Sequence, residues 1–108
     1  MSKASGMQLI DYAKNATDMF DDERLQLFDE GIQTIGKDAE LTAVEIRQIG
    51  EAATAIVKDS DFFSLDEKLQ TIKNGFSDIN GNIDETNLKA YADAVKDLIL
   101  EDKELNLD

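Results

Sequence analysis

The chain contains no cysteine, no histidine and no proline. The absence of cysteine excludes disulfide bonds and thiol chemistry, and without cysteine and histidine the commonest ligands of zinc, copper and haem are missing. The usual general base near neutral pH is missing as well. The sequence also has no glycine-rich phosphate loop and no nucleophile elbow. We therefore expect a protein that is not an enzyme and needs no cofactor.

Long apolar runs are absent too, and none approaches the roughly 20 residues of a membrane span. The first residues, MSKASGMQLI, lack the apolar stretch of a signal peptide. Apolar residues nevertheless make up 42% of the 108-residue chain, which is enough for the core of one domain. These features predict a single cytoplasmic domain that does not associate with membranes.

The charge is strongly negative, at −13. Residues 1–20 are neutral, residues 21–60 carry ten acids and four bases, and residues 61–108 carry twelve acids and five bases. Because phosphates would be repelled, we expect no direct binding to nucleic acid. A basic protein partner fits this charge, although solubility alone would also explain it.

Apolar residues recur every three or four positions along almost the whole chain, as is typical of amphipathic helices. The pattern predicts an all-α fold of five helices, over residues 7–20, 22–35, 43–58, 65–79 and 85–100. The expected core stripes are Leu9, Tyr12, Ala16 and Met19 in the first helix, Leu25, Phe28, Ile32 and Ile35 in the second, Ile46, Ile49, Ala53 and Ile56 in the third, Leu69, Ile72, Phe76 and Ile79 in the fourth, and Leu88, Tyr91, Val95 and Leu98 in the fifth.

Capping signals support these boundaries. A capping box pairs a small polar residue at the helix start with an acid three residues later. This spacing occurs at Thr42 with Glu45, Ser64 with Glu67, and Asn82 with Glu85. Asp84 is an alternative cap for the fifth helix, and Asp21 or Asp22 can cap the second.

Two parts of the chain resemble each other. The segment DERLQLFDEGIQTI (22–35) matches DEKLQTIKNGFSDI (66–79) at an offset of 44, and the next helices match at an offset of 42. Gly31 and Gly75 fall at equivalent places, where they would permit close helix approach or mark a kink. We therefore predict one domain, 1–108, divided into an N-terminal helix (1–20), two helix–loop–helix units (21–60 and 61–103) and a tail (104–108).

The segment DINGNIDETNL (78–88) resembles the second half of an EF-hand loop and the start of its exit helix. With Gly81 as the sixth position of that loop, Asp78, Asn80, Asn82 and Asp84 fall at the third, fifth, seventh and ninth positions, where an EF-hand binds Ca²⁺. The first and twelfth positions, Phe76 and Asn87, are not carboxylates. The resemblance implies a short β-bridge between Leu41 and Ile83, and any Ca²⁺ affinity should be weak. TerB-like helical domains have a similar acidic turn and are a second candidate family. A simple turn and helix cap would explain the same residues.

Phe62 and Phe63 lie just before the Ser64 cap. They are candidate anchors for a partner, because aromatic residues dominate interface hot spots. A hydrophobic staple that packs on the core is the alternative.

Three functional hypotheses follow. The first is a non-enzymatic module that binds a partner protein, for which a basic protein is a candidate, through a helical groove or its acidic face. The second is a weak Ca²⁺-binding protein that acts through the Asp78–Asp84 loop. The third is an acidic decoy that inhibits a nucleic-acid-binding protein.

Overall fold

The computed structural model describes residues 2–102 and confirms the all-helical fold. Its five α-helices are α1 (Ser2–Asn15), α2 (Asp21–Ile35), α3 (Ala43–Val57), α4 (Leu65–Phe76) and α5 (Leu88–Glu101), and a short 3₁₀ turn (Glu85–Asn87) precedes α5. The helix α1 begins and ends five residues earlier than predicted, α4 ends three residues earlier, and α5 begins three residues later, after the 3₁₀ turn. The predicted tail, 104–108, and residue 103 lie outside the described residues.

Two of the three predicted capping boxes are confirmed. The Glu45 backbone N–H donates to Thr42 Oγ1 (3.1 Å), while Glu45 Oε1 accepts from the Thr42 N–H (2.8 Å). Ser64 and Glu67 make the same pair of bonds before α4, at 3.2 and 2.9 Å. These bonds satisfy amide groups that have no partner inside the helix, which explains why α3 and α4 begin where they do.

The other predicted caps are wrong or replaced. The residue that caps α2 is Phe20, which makes no side-chain cap bond, and Asp21 is already the first helical residue. At the fifth helix, Asn82 does not form a box with Glu85. Instead, Asp84 Oδ1 accepts from the backbone N–H of Thr86 (2.8 Å) and from its hydroxyl (2.6 Å), so Asp84, the alternative, caps the 3₁₀ turn.

The helices pack most extensively as two hairpins, α1 with α2 and α3 with α4. Each hairpin has a pair of glycines at its crossing point. A Cβ atom added to Gly6 would lie 2.5 Å from the Gly31 carbonyl oxygen, and one added to Gly75 would lie 3.1 Å from the Gly50 Cα. Close approach is therefore the role of Gly31 and Gly75, and it needs Gly6 and Gly50 opposite them.

This pairing differs from the α2–α3 and α4–α5 units that we predicted from the sequence. At the single offset of 44, residues 6–35 match residues 50–79 without a gap, at eight of thirty positions. The structure repeats a capping contact at the same offset. Arg24 Nη2 donates to the Lys14 carbonyl oxygen at the end of α1 (2.6 Å), and Lys68 Nζ donates to the Lys58 carbonyl oxygen at the end of α3 (3.4 Å).

The core lies between the hairpins and under α5, and it confirms the α3 stripe completely. Other stripes were partly wrong, because Tyr12, Ile32, Ile79 and Leu88 are exposed. The buried face of α1 is shifted by one residue from the predicted stripe and consists of Gly6, Ile10 and Ala13. The buried apolar residues are Ile10, Ala13, Phe28, Ile35, Ile46, Ile49, Ala52, Ala53, Ile56, Val57, Ile72, Phe76 and Leu98.

Candidate protein-interaction surface

The turns of the two hairpins lie together at one end of the molecule. The α1–α2 turn covers residues 16–20 and the α3–α4 turn covers residues 58–64. Ser60 connects them, because its hydroxyl donates to Asp21 Oδ2 (2.6 Å) while its Oγ accepts from the Phe62 backbone N–H (3.0 Å). Ser60 is itself buried, at 6% exposure. The relay holds the backbone of Phe62 beside the first residue of α2.

Of the two predicted aromatic anchors, only Phe62 is exposed. Its side chain is 64% exposed, whereas Phe63 is half-buried and packs against the core. The two rings meet edge to face with centroids 5.1 Å apart, so Phe63 supports Phe62 from below. Phe63 therefore packs on the core, and Phe62 remains a candidate contact residue.

The sequence analysis missed Phe20. It precedes α2 and is 77% exposed, more than any other large apolar residue of the described chain. Because the next residue, Asp21, is bonded to Ser60, Phe20 and Phe62 lie on the same end of the fold. We call this end the turn surface: Phe20, Phe62 and the acidic residues of segments 16–23 and 59–67. The signal that could have found Phe20 is its place before a helix with no polar cap.

Acidic residues predominate on the turn surface, and the bases Lys58 and Lys68 border it. Segments 16–23 and 59–67 contain eight acidic residues and no basic ones. An open groove of about 790 Å³ continues this surface along α1. It has no basic lining residue, and its lining combines carboxylates with apolar side chains, among them Asp11, Tyr12, Asp18, Met19 and Glu23. Exposed apolar groups within a negative field suit a partner that is both basic and amphipathic.

The second candidate site, the loop between α4 and α5, lies at the opposite end of α4. Here Asp78 Oδ1 accepts from the backbone N–H groups of Asn80 and Asn82, both at 2.9 Å, and Gly81 adopts a φ of 80°. Asn80 and Asn82 are exposed, and the fourth predicted ligand, Asp84, caps the 3₁₀ turn. The bond from the Thr86 hydroxyl, with that from its N–H, lowers the pKa of Asp84.

The ends of this loop do not match a calcium site. Phe76, at the first position, is 1% exposed within the core. Asn87, at the twelfth, is equally buried and donates its Nδ2 to the Ala43 carbonyl oxygen (2.9 Å). Neither side chain is a carboxylate directed at the loop centre. Within residues 2–102, no three acidic side chains are grouped closely enough to hold a metal ion. The four predicted ligands therefore form a turn and a cap in this arrangement.

The predicted bridge between the two loops also differs. Ile83 forms an isolated antiparallel bridge with Ser77 of its own loop rather than with Leu41. The loops are connected instead by the Asn87–Ala43 bond. The bridge therefore closes the α4–α5 loop on itself, and a buried asparagine takes over the contact between loops.

Comparison with protein-family models, curated proteins and solved structures found no match to this chain. The EF-hand-like and TerB-like resemblances therefore stay predictions. None of the described helices combines the length and the apolar character that a bilayer span requires.

Proposed function

We propose that this protein is a non-enzymatic interaction module whose turn surface binds a basic partner protein. The observation that carries the proposal is the exposure of Phe20 and Phe62 on two turns held together by Ser60. Single exposed apolar residues are common on protein surfaces, but packing does not explain two exposed phenylalanines at the same end of a small domain.

The physical roles of the two residue types differ. The phenylalanine rings would contribute most of the affinity, because the burial of an aromatic side chain at an interface removes a large apolar area from water. The eight acidic residues would mainly raise the association rate and select against acidic proteins. Binding should therefore weaken with salt without disappearing.

In the test, the wild type and two variants are immobilised and incubated with lysate of the source cells. The proteins that each form captures are quantified by mass spectrometry. The variant Phe20→Ala/Phe62→Ala removes both rings. Ile79→Ala is the matched control, because Ile79 is 70% exposed and belongs to the loop at the other end of α4. We expect a basic protein that is retained by the wild type and by Ile79→Ala but reduced at least about tenfold with the double variant.

The salt dependence of capture is a second test. Raising NaCl from 50 to 500 mM (roughly a threefold shorter Debye length) should weaken capture of the same protein by the wild type. A captured protein that the double variant retains as well as the wild type would contradict the proposal. Retention of only acidic proteins would contradict it too.

A further inference from the structure

Helix α1 has two apolar faces, and its packing in the fold buries only one of them. The buried face contains Gly6 and Ile10, which contact α2. The other face continues into the α1–α2 turn, and its Tyr12, Ala16 and Met19 line the open groove along α1, which we call the α1 groove. These three residues belong to the stripe that the sequence pattern predicted for the core. Tyr12 is instead 60% exposed, so its ring is accessible to another molecule.

The polar lining of the α1 groove carries charge of one sign. The carboxylates of Asp11, Asp18 and Glu23 line it, and no basic side chain does. None of these carboxylates makes a hydrogen bond or an ion pair with another residue of the described chain, 2–102. The two bases of α1 lie elsewhere, because Lys3 is paired with a glutamate of α3 (3.0 Å) and Lys14 lines a different groove beside α3 and α5. The negative charge of the α1 groove is therefore not neutralised within the described fold.

The net charge of the chain does not by itself produce such a lining. A groove of about 420 Å³ beside the α3–α4 turn contains Lys58 and Lys68 among its acidic residues. A groove of about 520 Å³ between α3 and α5 contains Lys14 and Lys58 opposite Glu51 and Asp93. Both of these grooves thus carry charges of both signs. The α1 groove differs from them in combining an exposed aromatic ring with carboxylates alone, and this combination selects a cationic occupant with apolar surface.

We propose that the α1 groove binds an arginine side chain of the basic partner, next to the apolar residues that cover Phe20 and Phe62. This inference rests on the proposed function and deepens it, since Met19 of the groove directly precedes Phe20. The planar guanidinium group stacks on the ring of Tyr12 and donates two parallel hydrogen bonds to a carboxylate, while the apolar stem covers Met19. Lysine fits less well, because its ammonium group is a compact and strongly hydrated charge without a plane to stack.

The shape of the α1 groove fits a short segment of the partner. Its lining residues Gln8, Asp11, Tyr12 and Asn15 are three or four positions apart, so they form one stripe about 10 Å long on α1. This length matches about three residues of extended chain. The volume of about 790 Å³ also lies in the range of sites that hold small organic ligands, roughly 300–1,000 Å³. A polyamine would match the charge, but it has no planar cation for the Tyr12 ring.

The test uses a defined probe, an acetylated and amidated peptide of sequence Ala-Arg-Ala-Arg-Ala. Two further peptides replace both arginines by lysine or by citrulline, which keeps the planar head group of arginine but not its charge. We titrate the full chain with each peptide and follow amide and tyrosine-ring shifts by NMR. The expected result is saturable shifts within residues 8–23. The dissociation constant should be at least about threefold higher for the lysine peptide and at least about tenfold higher for the citrulline peptide.

Variants of the chain separate the α1 groove from the total charge. Asp11→Asn/Asp18→Asn should raise the dissociation constant of the arginine peptide at least about tenfold. Asp38→Asn/Glu40→Gln is the matched control, because it removes the same charge from exposed residues of the loop after α2 and should bind as the wild type does. Tyr12→Ala should bind the arginine and lysine peptides about equally, since the stacking surface is lost.

Four outcomes would overturn the proposal. Equal weakening by the two charge variants would mean that total charge drives binding, and an undiminished preference for arginine in Tyr12→Ala would mean that its ring takes no part. Spermidine that binds residues 8–23 as tightly as the arginine peptide would make a polyamine the occupant. The fourth outcome is the absence of saturable shifts. Because the peptide has no large apolar side chain for Phe20 and Phe62, that failure would concern the α1 groove alone, and the capture experiment would still decide the proposed function.

Discussion

At the scale of single residues, the most consequential side chain is the buried Arg24, which is only 7% exposed. Its Nε donates to the Ala13 carbonyl oxygen (2.9 Å) and its Nη2 to that of Lys14, so α2 caps the end of α1. These are charge-assisted bonds to carbonyl groups that lack helical partners. The periodicity of the sequence could not reveal this role, because an arginine beside an apolar stripe normally faces solvent.

We expect Arg24→Ala to lower the free energy of unfolding by about 3 kcal/mol, since it leaves two carbonyl groups without their donor and opens a gap beside Ala13. Arg24→Lys should cost less, because Lys68 makes the equivalent bond in the second hairpin. Urea unfolding followed by circular dichroism measures both. The matched control is Arg47→Ala on the exposed side of α3, for which a change within about 0.5 kcal/mol is expected. Equal losses for Arg24→Ala and Arg47→Ala would contradict this role.

At the scale of elements, the sequence pattern predicted α3 and α4 better than α1 and α5. The α3 stripe is apolar on one face only, and its start has a capping box, so pattern and cap agree. In α1 the side chains Leu9, Ile10, Tyr12 and Ala13 offer two competing faces, and the packing selects the one that contains Gly6. Hydropathy gives glycine little weight, although its lack of a side chain decides which helices can approach closely.

The turn surface was predictable only in part, because tertiary packing decides which of its side chains are exposed. Phe62 and Phe63 are adjacent in the sequence, and only tertiary packing determines which ring faces solvent. The Ser60–Asp21 bond joins residues 39 positions apart, so no local pattern could place Phe20 beside the second turn. The loop at Asp78 shows the opposite case. Its turn follows from local residue preferences, which explains a likeness to a calcium loop at positions three to nine alone.

The two capping boxes should make stability depend on pH. The bond from the Thr42 backbone N–H, followed by that from Lys3, lowers the pKa of Glu45, and the bonds from Ser64 lower the pKa of Glu67. A carboxyl group whose pKa is lower in the folded state stabilises the fold above its unfolded pKa, about 4.3 for glutamate. This stability is lost as the pH falls through the lower, folded value.

Glu45→Gln and Glu67→Gln should therefore each lower the free energy of unfolding at pH 7, because each replaces the carboxylate of a capping box with a neutral amide. The difference from the wild type should shrink between pH 5 and 3 (roughly the interval around the glutamate pKa). Thermal unfolding across this interval measures it, with Thr34→Ala as the control, because Thr34 bonds only to the Glu30 carbonyl oxygen of its own helix. A pH-independent difference for all three variants would show that the boxes do not act through their acids.

At the scale of the whole molecule, the charge of −13 and its concentration at the turn surface oppose compactness, because like charges repel in the folded state. Screening should relieve this cost, so we expect the unfolding temperature to rise by several degrees between about 20 and 500 mM NaCl. Asp59→Asn/Asp61→Asn, which neutralises two exposed acids of the turn surface, should raise it at low salt and respond less to added salt. Differential scanning calorimetry measures both effects.

Divalent ions distinguish general screening of the charges from binding at a specific site. If the Asp78 loop acts only as a turn, 5 mM CaCl₂ and 5 mM MgCl₂ should shift the unfolding temperature equally, because both screen the same charges (about a 25 Å Debye length at 15 mM ionic strength). A larger shift with calcium, abolished by Asp84→Ala, would mean that the loop rearranges to bind the ion and would revive the EF-hand-like hypothesis. Equal shifts would support the interpretation of this loop as a turn and a helix cap.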